Sequence, residues 1–513
     1  MISKNNYEVI LINPPSFKGK IRRRDFFTPP MGLAYLASVL LKKNIAVKII
    51  DCDPMGIFIN PIDPKEYQIK ALYNELKKIN NSVLLIGIGP CTTPNLHNNL
   101  VIADYSKRFF KNSVVAMGGP HPSLIPPNMA NRMIKEYSFI DIVAIGEGEE
   151  TICEIVSALK TKRSIERIPG IIYRKQDGTP SEFISRTPIK NLDTIPFPTR
   201  ELLKDYFPKY RVALRKSLVS RYDTDHNIKK TSRFQIGIIF SSRGCPYRCA
   251  FCCSSKIRRI RTAKNVIEEI EECIKKYNVF YFIFYDDLFT TASQNEKQRI
   301  KEICQLIEEK KLNIIWSVEL RADVICNLGE ELLTKMNKAG CRYVNIGIEK
   351  GYQRALDYLQ KDLKINEIEN AINILRKSGD FIINGTFIFG GNEETKEEAK
   401  QTIIFAKKLK LDYAAFYSLE IHSGNDLFNK AKKAGIVLDF WNPYKLNHEY
   451  PLFTTNELSK DDLTNLQKCA YRDFYFNMYY LKNRIRNIKS VSDLTMNIKE
   501  YIHWTEHTLF GIR

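Results

Sequence analysis

Four of the chain's 12 cysteines fall within nine residues, in the run Ser242-Arg243-Gly244-Cys245-Pro246-Tyr247-Arg248-Cys249-Ala250-Phe251-Cys252-Cys253. The first three have the spacing C-x3-C-x2-C. Thiolates at such intervals, on a loop pliable enough to wrap one cube, are the ligands that iron–sulfur clusters use. Three ligands leave one iron open to bind and activate a small molecule, whereas an electron-transfer site is usually closed by a fourth. Zinc is the competing reading, but it favours a C-x2-C spacing with a matching second pair or histidines, and none lies nearby. Cys253 could close the set or pack inward; its side chain points away if Cys252 ligates.

The elements around this loop must position it. It follows the first of six apolar strands, at 236–241, 280–285, 313–318, 343–348, 382–389 and 413–419, which alternate with helices. The first of those helices carries Val266, Ile267, Ile270 and Ile274 on one face. Six such units predict a TIM-type βα barrel, complete or partial, with its active site at the carboxyl ends of the strands. An earlier series, with strands at 7–12, 46–50, 83–88, 113–117 and 140–145, predicts an open, doubly wound, Rossmann-like sheet covered on both faces. The chain therefore divides into an α/β domain at 1–165, a linker with a small hairpin at 166–235, the barrel at 236–435 and a helical region at 436–513. The aromatic run at 471–480 could close over the barrel or belong to a core.

The first domain lacks the G-x-G-x-x-G fingerprint of dinucleotide sites. Its strand ends instead carry Pro14 and Pro15, then Gly32 at a helix start, Thr92 and Thr93, Gly118, Gly119 and His121, and Gly146, Glu147 and Gly148. Glycines there let a large flat ligand approach the backbone, beyond the carboxyl ends of the strands where open sheets bind ligands.

With Phe251 before its third cysteine, the 245–252 motif resembles the radical S-adenosylmethionine family. The glycine- and proline-rich strand ends that precede it resemble the cobalamin-binding branch of that family, over roughly residues 1–435. The resemblance implies a 4Fe–4S cluster on Cys245, Cys249 and Cys252, and S-adenosylmethionine on its open iron. One-electron cleavage then gives methionine and a 5′-deoxyadenosyl radical. It implies S-adenosylmethionine contacts from Phe251, Asp286, Asp287, Glu319, Arg321, Glu349, Gly385 and Phe389. Cobalamin contacts would come from the strand-end residues of the first domain. The histidine-bearing D-x-H-x-x-G motif of other cobalamin proteins is missing, and residues 13–19 occupy its place without a histidine. The implied activity is methylation of an unactivated carbon or phosphorus centre of a small molecule, with ring closure or rearrangement as the alternative. An external one-electron reductant of flavodoxin or ferredoxin type is the implied partner. No residue is assigned to act on the substrate.

Bulk properties agree with a soluble enzyme. Of 513 residues, 44% are hydrophobic and 27% charged, an ordinary globular balance. No apolar run approaches the ~20 residues of a membrane span, and the start lacks a secretory pattern, so a cytoplasmic protein is expected. Twelve cysteines in such a chain are not a disulfide framework. The net charge of +20 could attract nucleic acid, but Lys and Arg are scattered apart from Lys18, Lys20, Arg22, Arg23 and Arg24. Nucleic acid is not the expected partner. A methylthiotransferase with a second cluster on Cys52, Cys91 and Cys153 is the rival reading. Against it, Cys153 shares a helix face with Ile152 and Val156.

Overall fold

The computed structural model describes residues 6–16, 28–59, 67–79, 82–210, 236–391, 393–433, 454 and 457–486. The basic residues at 18–24, part of the segment that replaces D-x-H-x-x-G, and all of the region after 486 lie outside this set. The described chain forms two compact units, the first built mainly from residues before 213 and the second mainly from those after.

The first unit is a six-stranded sheet. Its strands are β1 (Val9–Asn13), β2 (Val47–Asp51), β3 (Leu85–Ile88), β4 (Val114–Gly118), β5 (Ile142–Ala144) and β6 (Ile171–Tyr173). Their order is β2-β1-β3-β4-β5-β6, with β1 to β5 parallel and β6 antiparallel to β5. Every residue of β1 is buried, as expected for a central strand covered on both faces. Ile10, Ile12, Ile86, Ile88 and Met117 feed one core, and Val9, Leu11, Ile49, Leu85 and Ala116 the other. The sequence predicts five strands followed by a linker. The structure corrects this, because the supposed linker supplies β6 and its 200–210 turn packs against the same unit. Ile171 and Ile172 are too short an apolar run to stand out, yet they bury completely at the sheet edge.

The second unit holds β7 (Ile236–Ile239), β8 (Tyr281–Phe284), β9 (Ile315–Leu320), β10 (Cys341–Glu349), β11 (Ile382–Phe389) and β12 (Tyr413–Ser418). They lie in sequence order and are all parallel, and β7 does not pair with β12, so this is a partial barrel. Strand alternation divides the faces. Phe282, Phe284, Trp316, Val318, Val344, Ile346, Ile383 and Phe387 pack outward in the large core. Tyr281, Ile315, Tyr343 and Ile382 form an inner apolar layer at the amino ends of the strands. Further along the inner face come Ser317, Glu319, Asn345, Asn384 and Thr386. The interior is thus sealed below and polar towards the carboxyl ends.

An unpaired edge strand such as β12 exposes backbone donors and acceptors. Helix α1 (Lys460–Tyr475), capped by Ser459, covers it. Tyr475 Oη accepts from Ala414 N at 3.1 Å and donates to Ala414 O at 2.8 Å. Tyr471 Oη accepts from Phe416 N at 3.2 Å, and Gln467 Nε2 donates to Phe416 O. Phe474 and Tyr480 are buried beside them. The aromatic run therefore belongs to the core and the sheet edge, not to a lid.

Candidate active site

The cysteine loop leaves β7 and is pinned from beneath. Asp286, at the end of β8, accepts from the backbone N–H groups of Ser241 and Ser242 at 2.7 Å each. Its other oxygen accepts from Ser241 Oγ at 2.6 Å. Burial pushes its pKa up, and these hydrogen bonds and the Arg299 charge oppose the rise. Asp287 accepts from Gly244 N at 3.2 Å. Gly244 has φ +80°, and a Cβ there would sit 2.3 Å from Ile257 O, so only glycine lets the 255–257 segment back onto the loop. Cys245 N donates to Ser255 O at 2.8 Å across the same seam.

Cys245, Cys249 and Cys252 are all partly accessible. Burial raises the Cys245 pKa, and the charges of Cys252 and Cys249 raise it further, so the three thiols lie within electrostatic reach of one another. Ser254 N donates to Cys252 Sγ at 3.4 Å, and an Arg321 N–H donates to Cys249 Sγ at 3.6 Å. Donors aimed at sulfur are the hydrogen bonds that surround the ligands of such a cluster. Cys253 interacts instead with the Asn425 side chain. Among the described residues, no three His, Cys, Asp or Glu side chains are arranged to hold a single metal ion.

Arg321, at the end of β9, is held on every side. Its guanidinium lies 3.7 Å from the centre of the Tyr247 ring, donates to Asp323 at 3.0 Å and donates to Lys361 O at 2.6 Å. Tyr247 Oη donates to the same Asp323 carboxylate at 3.0 Å. At the end of β10, Glu349 pairs with Lys361 at 2.7 Å, both buried, and Lys361 Nζ stands 5.7 Å from the Phe251 ring centre. Glu319 remains open to solvent in the barrel mouth and accepts from Asn345. Crowding by surrounding protein raises its pKa, Asn345 opposes the rise, and the Glu349 and Asp287 charges add to it.

Several expected S-adenosylmethionine contacts are thus gathered around the thiols: Phe251, Asp287, Arg321 and Glu349, with Glu319 inside the mouth. Two are not. Gly385 and Phe389 share a strand phase with Ile383 and Phe387, so they face the outer helices. Phe389 is fully buried and stacked on Phe416, and a Cβ on Gly385 would meet Leu411 and Ile348. Asp286 is near the loop, but its carboxylate is filled by that loop's own donors. Lys361 and Glu394 escaped the sequence reading. Glu394 pairs with Lys350 at 2.7 Å in full burial and accepts from Tyr352 at 2.9 Å and from Gly390 N, which fixes the turn after β11. A carboxylate three residues beyond Gly390-Gly391 was the available cue.

In the first unit, the order β2-β1-β3 puts a topological switch point between the carboxyl ends of β1 and β3, where open sheets take their ligands. Pro15 lies there, its carbonyl accepting from Asn98 Nδ2 at 2.8 Å. The Oδ1 atoms of Asn98 and Asn99 are buried without a hydrogen-bond partner, an expensive state unless a donor fills it. Gly119 has φ +135°, and a Cβ there would lie 2.4 Å from Cys91 N, so the two strand-end turns interlock through Gly118 and Gly119. Around Gly32 and Gly146 a Cβ would meet nothing within 4 Å, which leaves open space at those positions. Thr92 is half-buried. Gly148 packs against Leu36. Two expected cofactor contacts are spent elsewhere. His121 is buried, its Nδ1 2.9 Å from Thr93 Oγ1, and burial lowers its pKa to about 4. Glu147 accepts from Ile189 N at 2.8 Å.

Cys52 and Cys91 are fully buried in one core of this sheet, and Cys153 packs in the core on the opposite face. Burial raises the pKa of each. Three thiols divided by a sheet cannot share one cluster, which removes the physical basis of the two-cluster reading.

The family model described as the radical SAM superfamily matches residues 239–406. A protein of Pyrococcus horikoshii, described as an uncharacterized methyltransferase, is 31% identical over 480 residues, covering 91% of this chain and 92% of its own. The anaerobic magnesium-protoporphyrin IX monomethyl ester cyclase of Rubrivivax gelatinosus is 27% identical over 462 residues, covering 88% of this chain and 75% of that protein. Among solved structures, the cobalamin-dependent S-adenosylmethionine radical enzyme OxsB, with aqua-cobalamin and S-adenosylmethionine bound, superposes with a TM-score of 0.67. That match is 17% identical and covers 97% of this chain and 71% of that one, a likeness of fold.

Proposed function

The chain belongs to the radical S-adenosylmethionine superfamily, and from that premise we propose that it is a cobalamin-dependent methyltransferase acting on an unactivated carbon or phosphorus centre of a small molecule. One observation carries the reading. A single chain joins a three-thiol loop at the mouth of a partial barrel to a second sheet whose switch point holds a buried, unpartnered amide oxygen, Asn98 Oδ1. Cobalamin is rimmed with primary amides, whose N–H groups suit an acceptor such as Asn98 Oδ1. When bound, the cluster would supply the electron that cleaves S-adenosylmethionine, and cobalamin the methyl group.

The chain's own residues do the rest. Cys245, Cys249 and Cys252 hold the cluster, and Asp286 and Asp287 fix the loop that presents them. Glu319, Glu349 and Lys361 offer charge for the polar groups of S-adenosylmethionine, and the apolar floor of the barrel keeps water out beneath. A second reading, ring closure, is favoured by the likeness to the Rubrivivax cyclase.

The test is anaerobic purification with cobalamin supplied, followed by incubation with S-adenosylmethionine deuterated at its methyl group. The expected composition is about four irons and one cobalt per chain, and the label should appear in the product. Iron near eight without cobalt overturns the proposal, and an unlabelled product with a new ring transfers it to the cyclase reading.

A further inference from the structure

Cleavage of S-adenosylmethionine consumes one electron. The S–C5′ bond breaks, methionine leaves with the sulfur lone pair restored, and the 5′ carbon keeps the unpaired electron. That electron must reach the thiol loop from outside the chain, so a donor has to dock where the loop meets solvent. The inference rests on the function proposed above and concerns the donor's landing place.

Positions 236–267 contain seven Arg and Lys residues and no Asp or Glu. Three of the seven are neutralised from elsewhere in the unit: Arg258 by Glu296 at 2.7 Å, Arg261 by Glu269 at 2.5 Å and Lys264 by Glu268 at 4.0 Å. Arg243 and Arg259 are engaged by other groups. Arg248 and Lys256 are left exposed, with no acidic partner among the described residues. The two are neighbours, since Lys256 Nζ donates to the carbonyl of Tyr247, the residue before Arg248, at 2.8 Å. Next to Lys256, Ile257 is 55% exposed, one of few large apolar side chains so open in the described chain.

This basic and apolar surface is the outer wall of the cysteine loop. The 255–257 segment touches Gly244 and accepts from Cys245 N. Arg248 directly precedes Cys249, and the ring of Tyr247 carries the Arg321 guanidinium that donates to Cys249 Sγ. We infer that Arg248, Lys256 and Ile257 form the docking surface for an acidic, low-potential one-electron carrier protein. Unpaired cations around an apolar centre suit an acidic partner in a transient complex, in which charge sets the encounter rate and falls in effect as salt rises.

The experiment compares two electron sources in 5′-deoxyadenosine formation by the reconstituted full chain. Reduced flavodoxin is the protein donor and dithionite the small one. The double variant Arg248→Glu/Lys256→Glu should raise the apparent KM for flavodoxin at least about tenfold at low salt, with the gap narrowing as salt rises. Its dithionite-driven rate and cluster absorption should match the parent, and Arg248→Gln/Lys256→Gln should fall between. An unchanged KM for flavodoxin overturns the assignment. So does an equal loss with both donors, which would mean that these residues merely support the loop. If the parent chain itself makes no 5′-deoxyadenosine with dithionite, the underlying function fails instead.

Discussion

At the scale of single residues, Arg321 illustrates how much of a site depends on groups that do not touch substrate. Sequence reading places it as an S-adenosylmethionine contact, yet its donors are committed to Cys249 Sγ, Asp323 and the Lys361 carbonyl, with Tyr247 beneath the plane. A positive donor beside a ligand sulfur stabilises the more negative, reduced state of a cluster, because hydrogen bonds to sulfur and local charge set its potential. Arg321→Met should therefore shift the midpoint potential of the reconstituted cluster to more negative values, with Arg321→Lys shifting it less. Lys retains the charge but loses the planar fork and the stack on Tyr247. A potentiometric titration followed by electron paramagnetic resonance reads this directly, and an unchanged potential with altered S-adenosylmethionine affinity would restore the contact role. The thiols themselves were legible because their chemistry lies in contiguous spacing. Lys361 was not, since it reaches the site from a turn 12 positions beyond its partner Glu349 and belongs to no motif.

At the scale of elements, strand phase decides what a motif residue can do, and the sequence carries that phase weakly. In β11 the pattern Ile382-Ile383-Asn384-Gly385-Thr386-Phe387-Ile388-Phe389 is apolar on both faces except for Asn384 and Thr386. Those two polar residues were the cue that the inner face runs through even positions, which sends Gly385 and Phe389 outward. The six-strand series was readable because each buried parallel strand is a short apolar run bounded by turns. The extra strand β6 was not, because its three residues gain their place only by pairing with β5. The tail's aromatic run has the same character: its fate depends on β12 having an open edge. Tyr475→Phe removes both hydrogen bonds to Ala414 and leaves an edge donor and acceptor unmet. The expected cost is about 1–3 kcal/mol, measured by urea unfolding of the full chain, with Tyr471→Phe costing less because it loses a single bond. No loss in either variant would show that solvent serves the β12 edge equally well.

At the scale of the whole molecule, stability should carry a pH signature that originates in the first unit. Asp51 ends β2 with no solvent exposure, and burial raises its pKa from 3.8 to about 6. Its hydrogen bonds from Tyr210 Oη at 2.6 Å and Asn13 Nδ2 at 2.7 Å offset only part of that rise, and the Asp53 charge adds to it. A carboxyl whose folded pKa lies above its unfolded value keeps its proton in the folded state over the interval between them. Across that window, from about 4 to about 6, Asp51 binds more proton in the native chain than in the unfolded one, so its own contribution to stability falls as pH rises and then levels off above pH ~6. A rise of that size is equivalent to about 3 kcal/mol. Asp51→Asn keeps the size of the group and its acceptor towards Asn13, yet has nothing to titrate. Its stability curve should therefore lie closest to the parent's near pH 4 and gain on it by about 1–3 kcal/mol towards pH 7. Urea unfolding of both proteins between pH 4 and 7.5 measures this. If the two curves run parallel, Asp51 is ionised in the native state throughout, and the Tyr210 and Asn13 donors meet its full charge.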